Sequence, residues 1–121
     1  MTLEWKLDKN RPICPQICQQ LCARIAQGAF TSGQRLMSVR EVAVAAGVNP
    51  NTVQRAFEQL EQEGVLRSER GAGWFVGENP ESAVKLRQAM AKEKVTAFFA
   101  EMADLGLTTR EIQEIVKEWE A

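Results

Sequence analysis

At 121 residues, 45% hydrophobic and 26% charged, the chain has room for one core with a small appendage, and its composition is that of an ordered globular protein. Its formal net charge is −1 and it has no histidine, so the commonest general base and the commonest transition-metal ligand are both missing. With no GxSxG and no glycine-rich phosphate loop either, familiar hydrolytic and transfer chemistry lacks its residues, and the expectation is a protein that is not an enzyme, without cofactor or metal.

The opening MTLEWKLDKN lacks the apolar run of a secretory signal, and no later stretch reaches the roughly 18 apolar residues of a membrane span. The expected compartment is the cytoplasm, with reduced cysteines and no membrane partner. Leu3, Trp5 and Leu7 alternate with polar residues, as in a short strand or a packed arm.

From Pro12 to Ala26 the period becomes helical, with Ile13, Ile17, Leu21 and Ile25 four residues apart and Gly28 at the expected end. Phe30 and the following TSGQ read as a connection. Ser38 with Glu41 forms a capping box for a second helix, lined by Val39, Val42, Ala43 and Ala46 and stopped by Gly47. Asn49 then caps a third helix with Pro50 in its first turn, and Val53, Ala56, Phe57 and Leu60 form its apolar stripe up to Gly64.

Residues 65–68 and 73–76 read as two short strands joined by Glu69-Arg70-Gly71-Ala72. The segment Glu78-Asn79-Pro80-Glu81 breaks the pattern and marks a boundary. A long helix from about Ser82 to Asp104 follows, and Thr108 with Glu111 caps a last one. The predicted architecture is mostly α: a winged helix-turn-helix of three helices and a two-stranded β wing over residues 1–77, then a two-helix tail over 78–121.

The functional signal lies in Val39 to Leu66. A small residue at Ala43, a left-handed turn at Gly47 and an apolar Val53 are what a tight helix pair needs. With its apolar stripe buried, the third helix presents Asn51 and Arg55, flanked by Thr52 and Gln54, in the turns that enter the major groove in a helix-turn-helix. Asn and Gln pair bidentately with adenine, and Arg with guanine or phosphate. The wing adds Arg67 and Arg70, with Arg70-Gly71 slim enough for a minor groove, and Arg40 stands one turn into the second helix. Residues 1–77 carry nine basic groups against seven acidic, and the rest six against nine, so the positive charge lies in the head. The alternative is a winged-helix protein–protein interaction module that does not bind DNA.

The segments PICPQICQQLCARIAQGAF and SGQRLMSVREVAVAAGVNPNTVQRAFEQLEQEGVLRSERGAGWFV resemble the GntR family of bacterial regulators over about residues 11–77. The resemblance implies a transcription regulator, most often a repressor, that binds a palindromic duplex DNA operator as a homodimer. It places DNA contacts on Arg40, Asn49, Pro50, Asn51, Thr52, Gln54, Arg70 and Gly71. Many members are basic where Gln54 stands; here Arg55 follows, and both are candidates. The short tail is similar to the small YtrA-type subfamily, whose helical tail dimerises and whose members often control a nearby transporter operon.

The tail's apolar residues, Val95, Phe98, Phe99, Met102, Ile112, Ile115, Val116 and Trp119, are accordingly read as a dimer core, with an effector pocket as the other use. A small-molecule effector of unknown identity is left open. Cys14, Cys18 and Cys22, at i, i+4 and i+8, are read as packing in preference to a thiol sensor or soft-metal site. Glu58, Glu61 and Glu63 read as a solvated face.

Overall fold

A computed structural model describes residues 4–121, so Leu3 of the alternating opening lies outside it. The elements are α1 (Ile13–Ala26), α2 (Val39–Ala46), α3 (Pro50–Gln62), β1 (Leu66–Glu69), β2 (Gly73–Val76), α4 (Pro80–Asp104) and α5 (Thr109–Glu118). The chain divides into two compact units, the second being Gln88–Ala121, with the division inside α4.

In the first unit the α1 stripe of Ile17, Cys18, Leu21, Cys22 and Ile25 is buried. It packs on α3, which buries Val53, Ala56, Phe57 and Leu60. Val42 and Ala43 dock α2 on the same helix. These are the stripes expected from the helical period, because only one face of each short helix can be covered.

β1 and β2 pair antiparallel, with Leu66 opposite Val76 and Glu69 opposite Gly73. The first strand starts and ends one residue later than its sequence pattern suggests. The connection before α2 also joins the sheet. Arg35 bridges Phe75, the Leu36 amide donates to the Trp74 carbonyl at 2.8 Å, and the Val76 amide donates to the Gln34 carbonyl at 2.8 Å. A pattern too short to show alternation thus supplies a third chain beside the wing.

Two starts also differ from expectation. Trp5 and Leu7 are half-buried in an arm without strand pairing. α4 begins at Pro80, because Asn79 caps it: the Asn79 Oδ1 accepts from the Glu81 amide at 3.0 Å. This repeats the Asn49-Pro50 start. Ala83 is consequently buried in the first unit, where its carbonyl accepts from the Cys22 thiol at 3.4 Å.

In the second unit, Gly106 closes α4 with φ 87° and the Thr108–Glu111 capping box opens α5. Ile112 is its buried residue, while Phe98 and Phe99 meet edge to face at 5.9 Å.

Gly77 is buried where the wing rejoins the base of α3, and its amide donates to the Val65 carbonyl at 2.8 Å. A Cβ there would lie 2.6 Å from the Gly64 carbonyl oxygen, and both neighbours are backbone. Gly77→Ala should cost about 1–3 kcal/mol, as other over-packed sites do, seen as a fall of roughly 5–15 °C in the thermal midpoint. An unchanged midpoint would show that the Gly64–Val65 backbone yields freely.

The capping carboxylates contribute to stability against acid. Hydrogen bonds from the Ser38 and Thr108 backbone and side chains hold Glu41 and Glu111 below their ordinary value of 4.5. The folded state therefore binds fewer protons than the unfolded state in this range. The contribution is complete above the ordinary value and is lost as pH falls through the lowered one. Glu41→Gln with Glu111→Gln should flatten the stability–pH curve below about pH 4.5, measured by urea unfolding at a series of pH values.

Candidate nucleic-acid interface

The helix pair is built from local hydrogen bonds. The Glu41 amide donates to the Ser38 Oγ at 3.1 Å, and the Ser38 amide donates to the Glu41 Oε1 at 3.0 Å. This box fixes the first turn of α2 and leaves Arg40 exposed on it. Gly47 ends the helix with φ 69°, a left-handed conformation that suits glycine. Two residues on, the Asn49 Oδ1 accepts from the Asn51 amide at 2.8 Å, with Pro50 in the first helical position.

Asn49 and Pro50 therefore serve first as the start of α3. The Asn49 oxygen is occupied by the cap, so its free group is the amide nitrogen. Beyond the cap, Asn51 and Arg55 are exposed, and Thr52 and Gln54 are half-buried. The Gln54 Nε2 donates to the Glu58 Oε2 at 3.3 Å. Because a carboxylate only accepts, this bond leaves the Gln54 oxygen for an outside donor.

The wing brings Arg70 and Gly71 to its exposed tip, where the Ala72 amide donates to the Glu69 carbonyl at 3.0 Å. Arg67 is spent differently. It lies 5.0 Å from the Phe75 ring centroid and pairs with Glu69, so it braces the wing. The Glu61 carboxylate is also engaged: the Ser68 amide donates to it at 3.0 Å and the Ser68 hydroxyl at 2.6 Å. Glu61 thus ties α3 to β1 from an exposed position, where a purely solvated face was expected. Glu58 and Glu63 are exposed.

All nine residues expected at DNA, Arg40, Asn49, Pro50, Asn51, Thr52, Gln54, Arg55, Arg70 and Gly71, fall in the first unit, at the capped ends of α2 and α3, along α3 and at the wing tip. Among the described residues the ion pairs are Arg11–Asp8 and Arg67–Glu69, so Arg40, Arg55 and Arg70 carry no ion pair. Arg35 is a further exposed cation, missed because its segment read as a connection. Its guanidinium lies 3.6 Å from where a Gly73 Cβ would stand.

The cysteines pack. Cys18 and Cys22 are buried, and the Cys18 thiol donates to the Ala56 carbonyl at 3.5 Å. Burial, with Cys14 beside it, pushes the Cys18 thiol up to about 12, and burial also raises Cys22 against the pull of Arg87. Cys14 is half-buried.

In the second unit, Val95, Phe98, Ile115, Val116 and Trp119 are exposed, Trp119 by 71%, and Phe99 and Met102 are half-buried. Ile112, by contrast, is only 1% exposed and belongs to the unit's own core.

A capped helix pair and a slim wing, with three cations left bare, define a winged helix-turn-helix head of the kind that meets duplex DNA. The profile of the bacterial regulatory proteins, gntR family, matches residues 15–76. The HTH-type transcriptional regulator YhcF of Bacillus subtilis strain 168 is 35% identical over 112 residues, 93% of either chain. The HTH-type transcriptional repressor YtrA of the same strain is 34% identical over 110 residues, 90% of this chain and 85% of its own. Among solved structures, a GntR family transcriptional regulator from Listeria monocytogenes superposes with a TM-score of 0.79 at 34% identity, over 94% of this chain and 100% of its own. The AraR DNA-binding domain in complex with operator ORE1 superposes with a TM-score of 0.54 at 26% identity, over 62% of this chain and 94% of its own. The chain belongs to the GntR family, and it is a DNA-binding transcription regulator of the winged helix-turn-helix type. Among the described residues no helix is long and apolar enough to cross a membrane.

Thiol chemistry checks the core. A raised pKa and burial leave Cys18 and Cys22 with little thiolate. Alkylation of the native protein at pH 8 should modify Cys14 alone, with the other two reacting only in denaturant, as read by intact and peptide mass. Rapid native labelling of Cys18 would contradict the packing of α1 on α3.

Proposed function

We propose that the protein is a homodimeric repressor that binds a palindromic operator, with α3 in the major groove and the β1–β2 wing at the adjacent minor groove. The observation that carries this reading is the capped start of α3, with Asn51 and Arg55 exposed beyond it and Arg70-Gly71 at the wing tip. The helix N-terminus also presents a positive dipole end to a phosphate. Arg55 reads a base edge or a phosphate, Asn51 and Gln54 read base edges, and Arg40 and Arg70 hold the backbone. The likeness to YtrA, a repressor by name, and to the operator-bound AraR domain supports it.

In this reading residues 1–77 are the DNA-binding head and 78–121 the dimerisation tail. The exposed Val95, Phe98, Ile115, Val116 and Trp119 support dimerisation, because large apolar side chains left in water favour a partner surface. Phe99 and Met102 contribute their exposed edges, and Ile112 supports the seam from within. A two-fold dimer sets the half-sites about 34 Å apart, or a multiple of that. Any small-molecule effector would act by changing the spacing of the heads. The protein works in the cytoplasm, without catalysis.

Selection of bound duplexes from a random pool should yield a palindrome. Its affinity should fall steeply with salt, because each neutralised phosphate releases counterions. Arg55→Ala should weaken binding about 5- to 150-fold, equivalent to about 1–3 kcal/mol, and relax one position of the operator if it reads a base. Arg40→Ala and Arg70→Ala should weaken binding to all sequences alike. No enrichment from the pool, or binding insensitive to salt, would leave the fold as a protein-binding module.

A further inference from the structure

The DNA reading leaves the segment before α1 without a task, yet this segment is held firmly. Gln16 is only 6% exposed although it is polar. Its Oε1 accepts from the Asp8 amide at 2.7 Å, and its Nε2 donates to the Asp8 carbonyl at 2.9 Å. One turn later, the Gln20 Oε1 accepts from the Lys6 amide at 3.0 Å and its Nε2 donates to the Lys6 carbonyl at 2.7 Å. Each amide thus pairs both ways with an arm residue, as a neighbouring strand would, and the Gln16 Nε2 also donates to the Pro12 carbonyl at 2.9 Å. The spacing fits: four helical residues rise about 6 Å, and two extended residues advance about 6.8 Å.

The arm then turns. The Asn10 amide donates to the Asp8 Oδ1 at 3.0 Å, the Arg11 amide donates to the Asp8 carbonyl at 3.2 Å, and Arg11 pairs with the Asp8 carboxylate at 3.2 Å. Asp8 therefore holds the turn that carries Lys9. The Lys9 Nζ donates to the Gly47 carbonyl oxygen at 3.2 Å, across 38 residues of sequence. Gly47 is the turn between α2 and α3, two residues before the Asn49 cap.

We infer that Lys9 is a phosphate contact of the DNA interface, carried to the head of the recognition helix by an arm clamped to α1 through Gln16 and Gln20. The inference rests on the DNA reading above. An ammonium has three donors and Gly47 takes one. Lys9 and Gly47 are both exposed, so the remaining donors face solvent beside the end of α3 that enters the groove. A phosphate flanking that end would meet Lys9 together with the positive dipole end of α3. The competing use is structural, since a cation near the C-terminal end of α2 also stabilises that helix. That use predicts an effect on the free protein and none on salt dependence.

The test uses the full chain and the duplex selected by the wild type, with anisotropy titrations at several salt concentrations. Lys9→Ala should weaken binding about 5- to 10-fold near 0.1 M salt, by the same factor on a mismatched duplex. It should also make the slope of log K against log salt less negative by about 0.9, the value for one lost phosphate contact. Lys9→Arg should restore most of both. Gln16→Ala with Gln20→Ala, which frees the arm, should shrink the effect of Lys9→Ala. An unchanged affinity and slope, or a lowered thermal midpoint of the free protein with the slope intact, would overturn the assignment. If wild type binds but Arg55→Ala has no effect while Lys9→Ala does, the Arg55 contact fails and Lys9 stands. If the wild type binds no duplex at all, the DNA reading falls and Lys9 falls with it.

Discussion

The structure depends on Phe57 holding α3 in place from one side only. Its ring is fully buried in the face that α3 turns to α1, and it meets Trp74 of the wing edge to face at 5.4 Å. A single side chain thereby joins the helical core to the sheet. Everything on the opposite face of α3 can remain polar, because Val53, Ala56, Phe57 and Leu60 carry the burial. The division between a packed face and a bare face makes a recognition helix usable: its polar residues are free for an outside partner and its axis is fixed by contacts the partner never touches. Glu61 adds a second tie, from the same helix to Ser68 of β1, and the Val65 amide adds a third by donating to the Leu60 carbonyl at 2.9 Å.

Much of this was legible because helix starts are local chemistry. Ser38 with Glu41, Asn49 with Asn51 and Thr108 with Glu111 each close their hydrogen bonds within three residues, so four letters contain the whole interaction. The same rule was available at Asn79-Pro80, where the polar cluster around it suggested a break. The Pro-first helix is the better reading, since a missing amide is harmless at the first position. What sequence could not carry are the long-range bonds. Nothing in GQRLM signals that Arg35 will lie against the wing, and nothing in the period of α1 signals that Gln16 and Gln20 will hold an arm from a preceding segment. Periodicity likewise places Ile112 with Ile115 and Val116 on one apolar list, but only packing separates the buried residue from the exposed pair.

The site residues show the same division. Asn49 and Pro50 have structural work that capping chemistry assigns to them, and Arg67 is spent on Phe75 and Glu69. The residues that remain bare, Arg40, Asn51, Arg55 and Arg70, are those for which the fold itself has no use. An exposed cation without a partner costs little in water, so the fold tolerates the three at Arg40, Arg55 and Arg70, and their charge is open to a polyanion.

A net charge of −1 and a DNA-binding head are compatible for a related reason. Carboxylates repel phosphate only where their charge is presented to it, and fields from exposed groups fade over about 8 Å at physiological salt. In the head, the carboxylates of Asp8, Glu41, Glu61 and Glu69 are each engaged by a hydrogen bond or an ion pair from a neighbouring residue. Their charge is directed into turns, caps and the wing. The excess of acid over base lies in residues 78–121. What a phosphate would meet near α3 is therefore set by the nearby groups, Lys9, Arg40, Arg55 and Arg70 against the exposed Glu58, together with the positive end of the helix, and only weakly by the sum over the chain.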